Sequence, residues 1–330
     1  MNIAVIGAGS WGTTLANLLA QKAYQVKLWV REKELAREIE NKRENTWFLP
    51  GFPLSRDLGV SSDLAEVLQD TQISIFVVPC QYLRQVIVQA RQYLPGEHVL
   101  VCANKGIEVE NLKTISQVVF EELADKDPNY SILSGPSFAQ EVARGQPTAV
   151  SLGCLDEGTG KYLQEIFSTE NFRVYTNPDY VGVELGGALK NVMAIATGIC
   201  DGLEIGMDAR AALITRGLSE ISRMGVALGA NRETFMGLSG LGDLILTCTG
   251  DLSRNRGVGM KIGQGEKLSD IVQSMQAVAE GVKTTQAVYN LSLQKGVEMP
   301  ITEQVYQMLF EDKDRIAAVR ELMQRTLKQE

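Results

Sequence analysis

The sequence predicts an α/β protein whose first half is a doubly wound, mostly parallel sheet and whose second half is all-α. Three observations predict it. Short apolar runs alternate with helical segments up to residue 178. The glycine-rich turn Gly7-Ala8-Gly9-Ser10-Trp11-Gly12 follows the first run and opens the first helix. Beyond Asn177-Pro178 long helical patterns replace the strand runs. The expected domains are therefore 1–178 and 179–330.

Residues 2–6 (NIAVI) are almost wholly apolar, as in a parallel strand buried on both faces. A helix over 11–20 and a strand over 25–30 (QVKLWV) follow. Residues 73–78 (ISIFVV) form a strand stopped by Pro79, and 98–102 (HVLVC) form another after Pro95-Gly96. Shorter runs at 131–133, 148–152 and 172–175 extend the sheet beyond the basic nucleotide-binding unit. The second half reads as helices near 179–200, 208–228, 270–280, 282–294, 302–309 and 313–328.

The chain has 330 residues, 45% of them hydrophobic, enough for two packed cores. Its net charge of −8 argues against nucleic acid as a partner. The five cysteines, Cys80, Cys102, Cys154, Cys200 and Cys248, show no C-x-x-C spacing. That pattern suits a reducing cytoplasm and offers no metal site. No secretory leader is expected at the N-terminus, which starts directly on a strand. The apolar stretch 181–200 carries Glu184, Lys190 and Asn191, so it reads as a buried helix and not as a membrane insertion.

In a strand–turn–helix context Gly7, Gly9 and Gly12 mark a Rossmann-type dinucleotide site. Gly7 permits the tight turn, Gly9 lets the backbone approach a pyrophosphate, and Gly12 lets helix and strand pack closely. The helix start at Ser10 and Trp11 offers N–H groups and a positive dipole end. The second strand ends at Arg31-Glu32 instead of a lone acid. An arginine there can pair with the 2′-phosphate of NADP, with NAD also accepted; the plainer reading is a surface arginine beside Glu32.

The only histidine, His98, starts a strand, at the edge opposite the ligand, and reads as structural. The proton must then come from lysine or tyrosine. Lys190 leads, because it sits with Asn191 in the small, apolar segment GGALKNVMA. Burial lowers a lysine pKa towards the working range of an acid/base. The plainer reading pairs it with Glu184, six residues earlier and poorly placed on the helix. Lys105 follows the HVLVC strand, at the ligand edge of the sheet. The segment from Ser134 through Gly135 and Ser137 to Ala139, and the segment Ser253-Arg254-Asn255, each open a helix and suit an anion, though simple capping would explain both. GLSGLGDL, residues 237–244, reads as a glycine-dense loop ending in Asp243.

With GAGSWGT, NKGIE, SGPSFAQEV, ELGGALKNVMAIATGI, GLSGLGDLILTCTG, SRNR and AEGVKTT in order, the chain resembles the bacterial NAD(P)-dependent glycerol-3-phosphate dehydrogenases over nearly its whole length. The resemblance implies hydride transfer between NAD(P)H and dihydroxyacetone phosphate in a cytosolic enzyme that supplies phospholipid synthesis. It implies Lys190 as general acid/base, with Lys105 and Asp243 assisting. It implies substrate contacts from Lys105, Gly135, Ser137, Lys190, Asn191, Asp243, Thr247, Ser253, Arg254 and Asn255. Cofactor contacts would come from Ser10, Trp11, Arg31, Lys105, Ala139, Arg254, Val278 and Glu280, beside the glycines. A related two-domain β-hydroxyacid dehydrogenase, with a carboxylate substrate, is the alternative enzyme. A dinucleotide sensor without chemistry is the non-enzyme alternative. A homodimer is an expectation resting on the helical second half alone.

Overall fold

The structure is a computed structural model and describes residues 1–96, 98–275 and 279–327. Ten strands occur in chain order: β1 (Asn2–Ile6), β2 (Gln25–Trp29), β3 (Glu44–Asn45), β4 (Leu49–Pro53), β5 (Gly59–Ser61), β6 (Ile73–Phe76), β7 (Val99–Cys102), β8 (Asn129–Ser134), β9 (Thr148–Cys154) and β10 (Phe172–Asn177). β3 and β4 form a separate hairpin. The other eight make one sheet in the order β5-β2-β1-β6-β7-β8-β9-β10. Its first six strands follow the doubly wound order 3-2-1-4-5-6 of dinucleotide-binding sheets.

The alternation of β1 explains its composition. Ile3 and Val5 enter one core cluster, while Ala4 and Ile6 enter the cluster on the opposite face. Helices cover both faces, so every position from Ile3 to Ile6 is apolar. Two strands of this sheet depart from the sequence reading. β5 is a three-residue strand held by parallel pairing with β2, and nothing in Gly-Val-Ser announces a strand. β9 pairs antiparallel with β8, so the sheet is mixed. The link between them holds only the five-residue helix Ala139–Ala143, and β9 returns directly where a full crossover would have kept it parallel.

The chain forms two compact units, Met1–Lys105 with Lys113–Glu184, and Gly106–Leu112 with Leu185–Glu330. From residue 185 on, the described residues contain helices and no strand. The helix Tyr180–Gly202 is the one described helix long and apolar enough to span a membrane, and that stretch is buried in the fold. The expected helix over 270–280 ends at Ser274, and residues 276–278 lie outside the described residues. The segment over 237–242, read as a loop, is a π-helical turn, Leu238–Gly242, running into the helix Asp243–Thr249.

Two buried carboxylates cap helices from a distance. Glu184 accepts the Ser116 N–H at 3.0 Å, at the start of the helix Ile115–Glu122, and burial raises its pKa. Glu220, on the helix Met207–Ala227, accepts the N–H groups of Ile301 and Thr302 at 2.6 and 3.2 Å. Burial pushes the Glu220 carboxyl up to about 7 from an ordinary 4.5, against those two bonds. The folded state therefore binds more protons than the unfolded chain between these values. This group's contribution is full below about pH 4.5 and is lost as pH rises through about 7. Glu220→Gln, uncharged throughout, is expected to flatten the fall of melting temperature across that window. An unchanged pH profile of melting would contradict the assignment.

Candidate active site

In the first unit the turn after β1 is built by sterics. Gly7 has φ +117°, a left-handed conformation that favours glycine. A Cβ on Gly12 would lie 1.9 Å from the Gly7 carbonyl oxygen, so no side chain fits there. A Cβ on Gly9 would meet nothing within 4 Å, which leaves its backbone open to approach. The helix Ser10–Gln21 starts with no side-chain cap and no acid in its first turn. Its N–H groups and dipole therefore face outward for an anion, as a dinucleotide pyrophosphate requires. The Trp11 ring packs near Phe172, with centroids 6.3 Å apart.

Arg31 lies just beyond β2, as its position predicts, and its side chain is 71% exposed. Its Nε donates to Glu32 Oε1 at 2.8 Å. A 2′-phosphate would have to compete with that carboxylate. Lys105 lies three residues beyond β7, and its Nζ reaches towards the Gly135 carbonyl at 3.4 Å. The Ser137 hydroxyl donates to the same carbonyl at 3.0 Å. Ala139 opens the next short helix, and its carbonyl accepts from Thr14 Oγ1 at 3.3 Å. His98 is buried with Nε2 2.8 Å from Ser74 Oγ, and burial pushes its pKa down to about 4. It is a neutral core residue.

In the second unit Lys190 is 6% exposed on the helix Tyr180–Gly202. Its partner is not Glu184. Lys190 Nζ donates to Asp243 Oδ1 at 2.6 Å and to Thr247 Oγ1 at 2.5 Å. Asp243 and Thr247 stand four residues apart on one face of their helix and are themselves 3.3 Å apart. Both are buried, as is Asn191. Gly186 makes this approach possible, since a Cβ there would lie 2.6 Å from the Ser239 carbonyl oxygen. The π-turn backbone thus rests on the Lys190 helix one turn before the lysine, which brings Asp243 to it.

The same helix seats the second anion candidate. Cβ atoms on Gly198 and Gly259 would each lie 2.1 Å from a carbonyl of the other helix, so Tyr180–Gly202 and Arg254–Gln264 touch backbone to backbone. Ser253 caps the latter, accepting the Arg256 N–H at 3.2 Å. Arg254 is exposed. Asn255 Oδ1 accepts the Gly281 N–H at 3.0 Å, next to Glu280 at the start of Glu280–Lys295. A Cβ on Gly281 would lie 2.9 Å from the Asn191 carbonyl oxygen, so the Lys190 helix and the Asn255 segment meet there. Val278 lies outside the described residues. Sequence reasoning missed Arg256, whose Nε binds Asp201 Oδ2 at 2.8 Å and whose guanidinium also binds Asp251. This pair ties the Arg254 segment to the Lys190 helix.

The model of the NAD-dependent glycerol-3-phosphate dehydrogenase N-terminus matches residues 2–159, and that of the C-terminus matches residues 179–320. A glycerol-3-phosphate dehydrogenase [NAD(P)+] of Solidesulfovibrio magneticus is 57% identical over 330 residues, covering 100% of both chains. The chain belongs to the NAD-dependent glycerol-3-phosphate dehydrogenase family. A Geobacter relative of the same name is 56% identical over 329 residues, 99% of this chain and 98% of its own. The crystal structure of glycerol-3-phosphate dehydrogenase from Coxiella burnetii superimposes with a TM-score of 0.95 at 41% identity, covering 98% of this chain and 99% of that one. The mixed eight-stranded sheet and the helical second half are thus the family's fold.

Proposed function

We propose that the chain is an oxidoreductase that reversibly interconverts dihydroxyacetone phosphate and sn-glycerol 3-phosphate with NAD(P)H. The observation that carries this reading is the buried Lys190 ammonium held by Asp243 and Thr247, in a chain 57% identical to a glycerol-3-phosphate dehydrogenase [NAD(P)+]. A dinucleotide held at the Gly7–Gly12 turn would supply the hydride for C2 in the reduction and would take it up in the oxidation. Lys190, hydrogen-bonded to Asp243, donates a proton to the C2 oxygen as negative charge gathers there and takes it back in the oxidation. Thr247 and Asp243 fix the Nζ position. Lys105, at the ligand edge of the first unit's sheet, is the proposed assisting cation. Gly135, Ser137 and Asn191 line the substrate in this reading.

The start of the helix Arg254–Gln264 is the proposed phosphate seat. The acceptors of Ser253 and Asn255 are already occupied by the Arg256 and Gly281 N–H groups. Their donors, the hydroxyl and the amide NH2, are left for a phosphate, beside the exposed Arg254 guanidinium. Arg254→Ala is expected to raise KM for dihydroxyacetone phosphate roughly 10- to 100-fold with a smaller change in kcat. An unchanged KM would place the phosphate elsewhere.

The first unit contributes the cofactor half, with Gly7, Gly9, Ser10, Trp11 and Gly12 at the pyrophosphate and Arg31 at the adenosine ribose. In this reading Ala139 is a further cofactor contact of the first unit, and Arg254 and Glu280 are those proposed in the second. The Arg31–Glu32 pair supports use of NAD as well as NADP. The product is the backbone from which glycerophospholipids are built. The five buried cysteines, which show no C-x-x-C spacing, support a cytoplasmic setting. The assembly proposed is a homodimer. Oxidation of NADPH and of NADH by the purified protein, with and without dihydroxyacetone phosphate, tests the activity.

A further inference from the structure

Asn104 is the only described residue with two polar side-chain atoms that are buried and without a hydrogen-bond partner, Oδ1 and Nδ2. It is 6% exposed. A carboxamide removed from water without bonds is strongly disfavoured, so its presence needs a reason. A second orphan, the Ser134 hydroxyl, is 3% exposed. The two belong together. β7 and β8 run parallel with Cys102 opposite Ile132, so two residues further on Asn104 and Ser134 come level at the carboxyl edge of the sheet. Their next neighbours, Lys105 and Gly135, are in contact.

The sheet order says which ligand end reaches this edge. The turn after β1 suits the pyrophosphate, and the residue after β2 faces the adenosine ribose. The other half of a dinucleotide then extends over the strands on the far side of β1, namely β6, β7 and β8. That half carries a nicotinamide, whose own carboxamide has one acceptor and one NH2 donor. Asn104 offers the complementary donor and acceptor. We infer that Asn104, with Ser134 beside it, hydrogen-bonds the nicotinamide carboxamide and fixes the ring's orientation, as a positioning residue. The inference rests on the dinucleotide-dependent reading above.

Asn104→Leu tests it, because leucine keeps the four-heavy-atom side chain branched at Cγ and removes the orphaned amide. The melting temperature of the protein without cofactor is expected to rise by roughly 2 °C or more. The dissociation constant for NADH, read by fluorescence titration, is expected to rise roughly 10- to 100-fold. The wild type is expected to bind NADH more tightly than its 3-acetylpyridine analogue, which lacks the NH2 donor, and the variant to bind both alike. Ser134→Ala should move all three readouts the same way by less, which keeps the test if the leucine variant does not fold. A lower melting temperature with unchanged NADH affinity makes Asn104 structural and overturns the inference. Discrimination that persists in the variant also overturns it. So does a raised KM for dihydroxyacetone phosphate with NADH affinity unmoved, which would assign Asn104 to the substrate. Wild-type protein that binds NADH but leaves dihydroxyacetone phosphate unreduced contradicts the proposed reaction alone; wild-type protein that binds no dinucleotide overturns both.

Discussion

Lys190→Ala is expected to lower kcat by about 10²–10⁴-fold while leaving NAD(P)H affinity near the wild-type value. The loss follows from removing the one buried proton donor beside the proposed C2 oxygen. His98, the sole imidazole, is a neutral core group and cannot replace it. The substitution also leaves Asp243, 1% exposed, without its cation. Breaking a buried ion pair by removing one partner costs on the order of 3–5 kcal/mol, so a lower melting temperature should accompany the lost turnover. Lys190→Arg separates the two effects. Arginine restores a cation for Asp243 but holds its proton at any working pH. That variant should recover much of the stability and little of the turnover. Steady-state kinetics and thermal denaturation of both variants check this, and near-normal turnover in either would remove Lys190 from its role.

Gly12→Ala is expected to abolish measurable dinucleotide binding and to destabilise the first unit. The added methyl would sit 1.9 Å from the Gly7 carbonyl oxygen, a backbone atom that no rotamer change can move away. Helix and turn must shift apart, at a cost of about 1–3 kcal/mol for overpacking of this kind. The shift displaces the N–H groups of the helix start from the pyrophosphate position. Gly9→Ala is the informative contrast, because its Cβ meets nothing within 4 Å. Its fold should be intact and its dinucleotide affinity reduced. Melting curves with and without NADPH read both quantities, since a bound ligand raises the transition. Equal behaviour of the two variants would contradict the separate roles assigned to these glycines.

Much of this was legible in sequence because it is local. NIAVI reads as a strand covered on both faces, and the spacing of Gly7, Gly9 and Gly12 reads as a dinucleotide-binding turn. Lys190 stood out as a cation inside an apolar helix. Its partner did not, since Asp243 is 53 residues away and reaches it only through the contact of Gly186 with Ser239. The glycine density of 237–242 signalled close backbone packing, but in a single sequence it looks the same as a loop. β5 is a strand because β2 pairs with it, and the direction of β9 is set by its pairing with β8. Asn255 looked like a ligand group and proved to cap Gly281 as well. These links are properties of packing between distant segments, which periodicity does not record.

In the proposed reaction the substrate phosphate anchors hydride transfer and Lys190 is the proton donor and acceptor. Steady-state oxidation of reduced dinucleotide, with dihydroxyacetone phosphate compared against dihydroxyacetone, tests it most directly. The account predicts saturable turnover of the phosphate ester, reversed by sn-glycerol 3-phosphate with oxidised dinucleotide. It predicts a kcat/KM for the phosphate-free ketone lower by on the order of 10³-fold or more. Equal turnover of the two ketones, or turnover of neither, would contradict it.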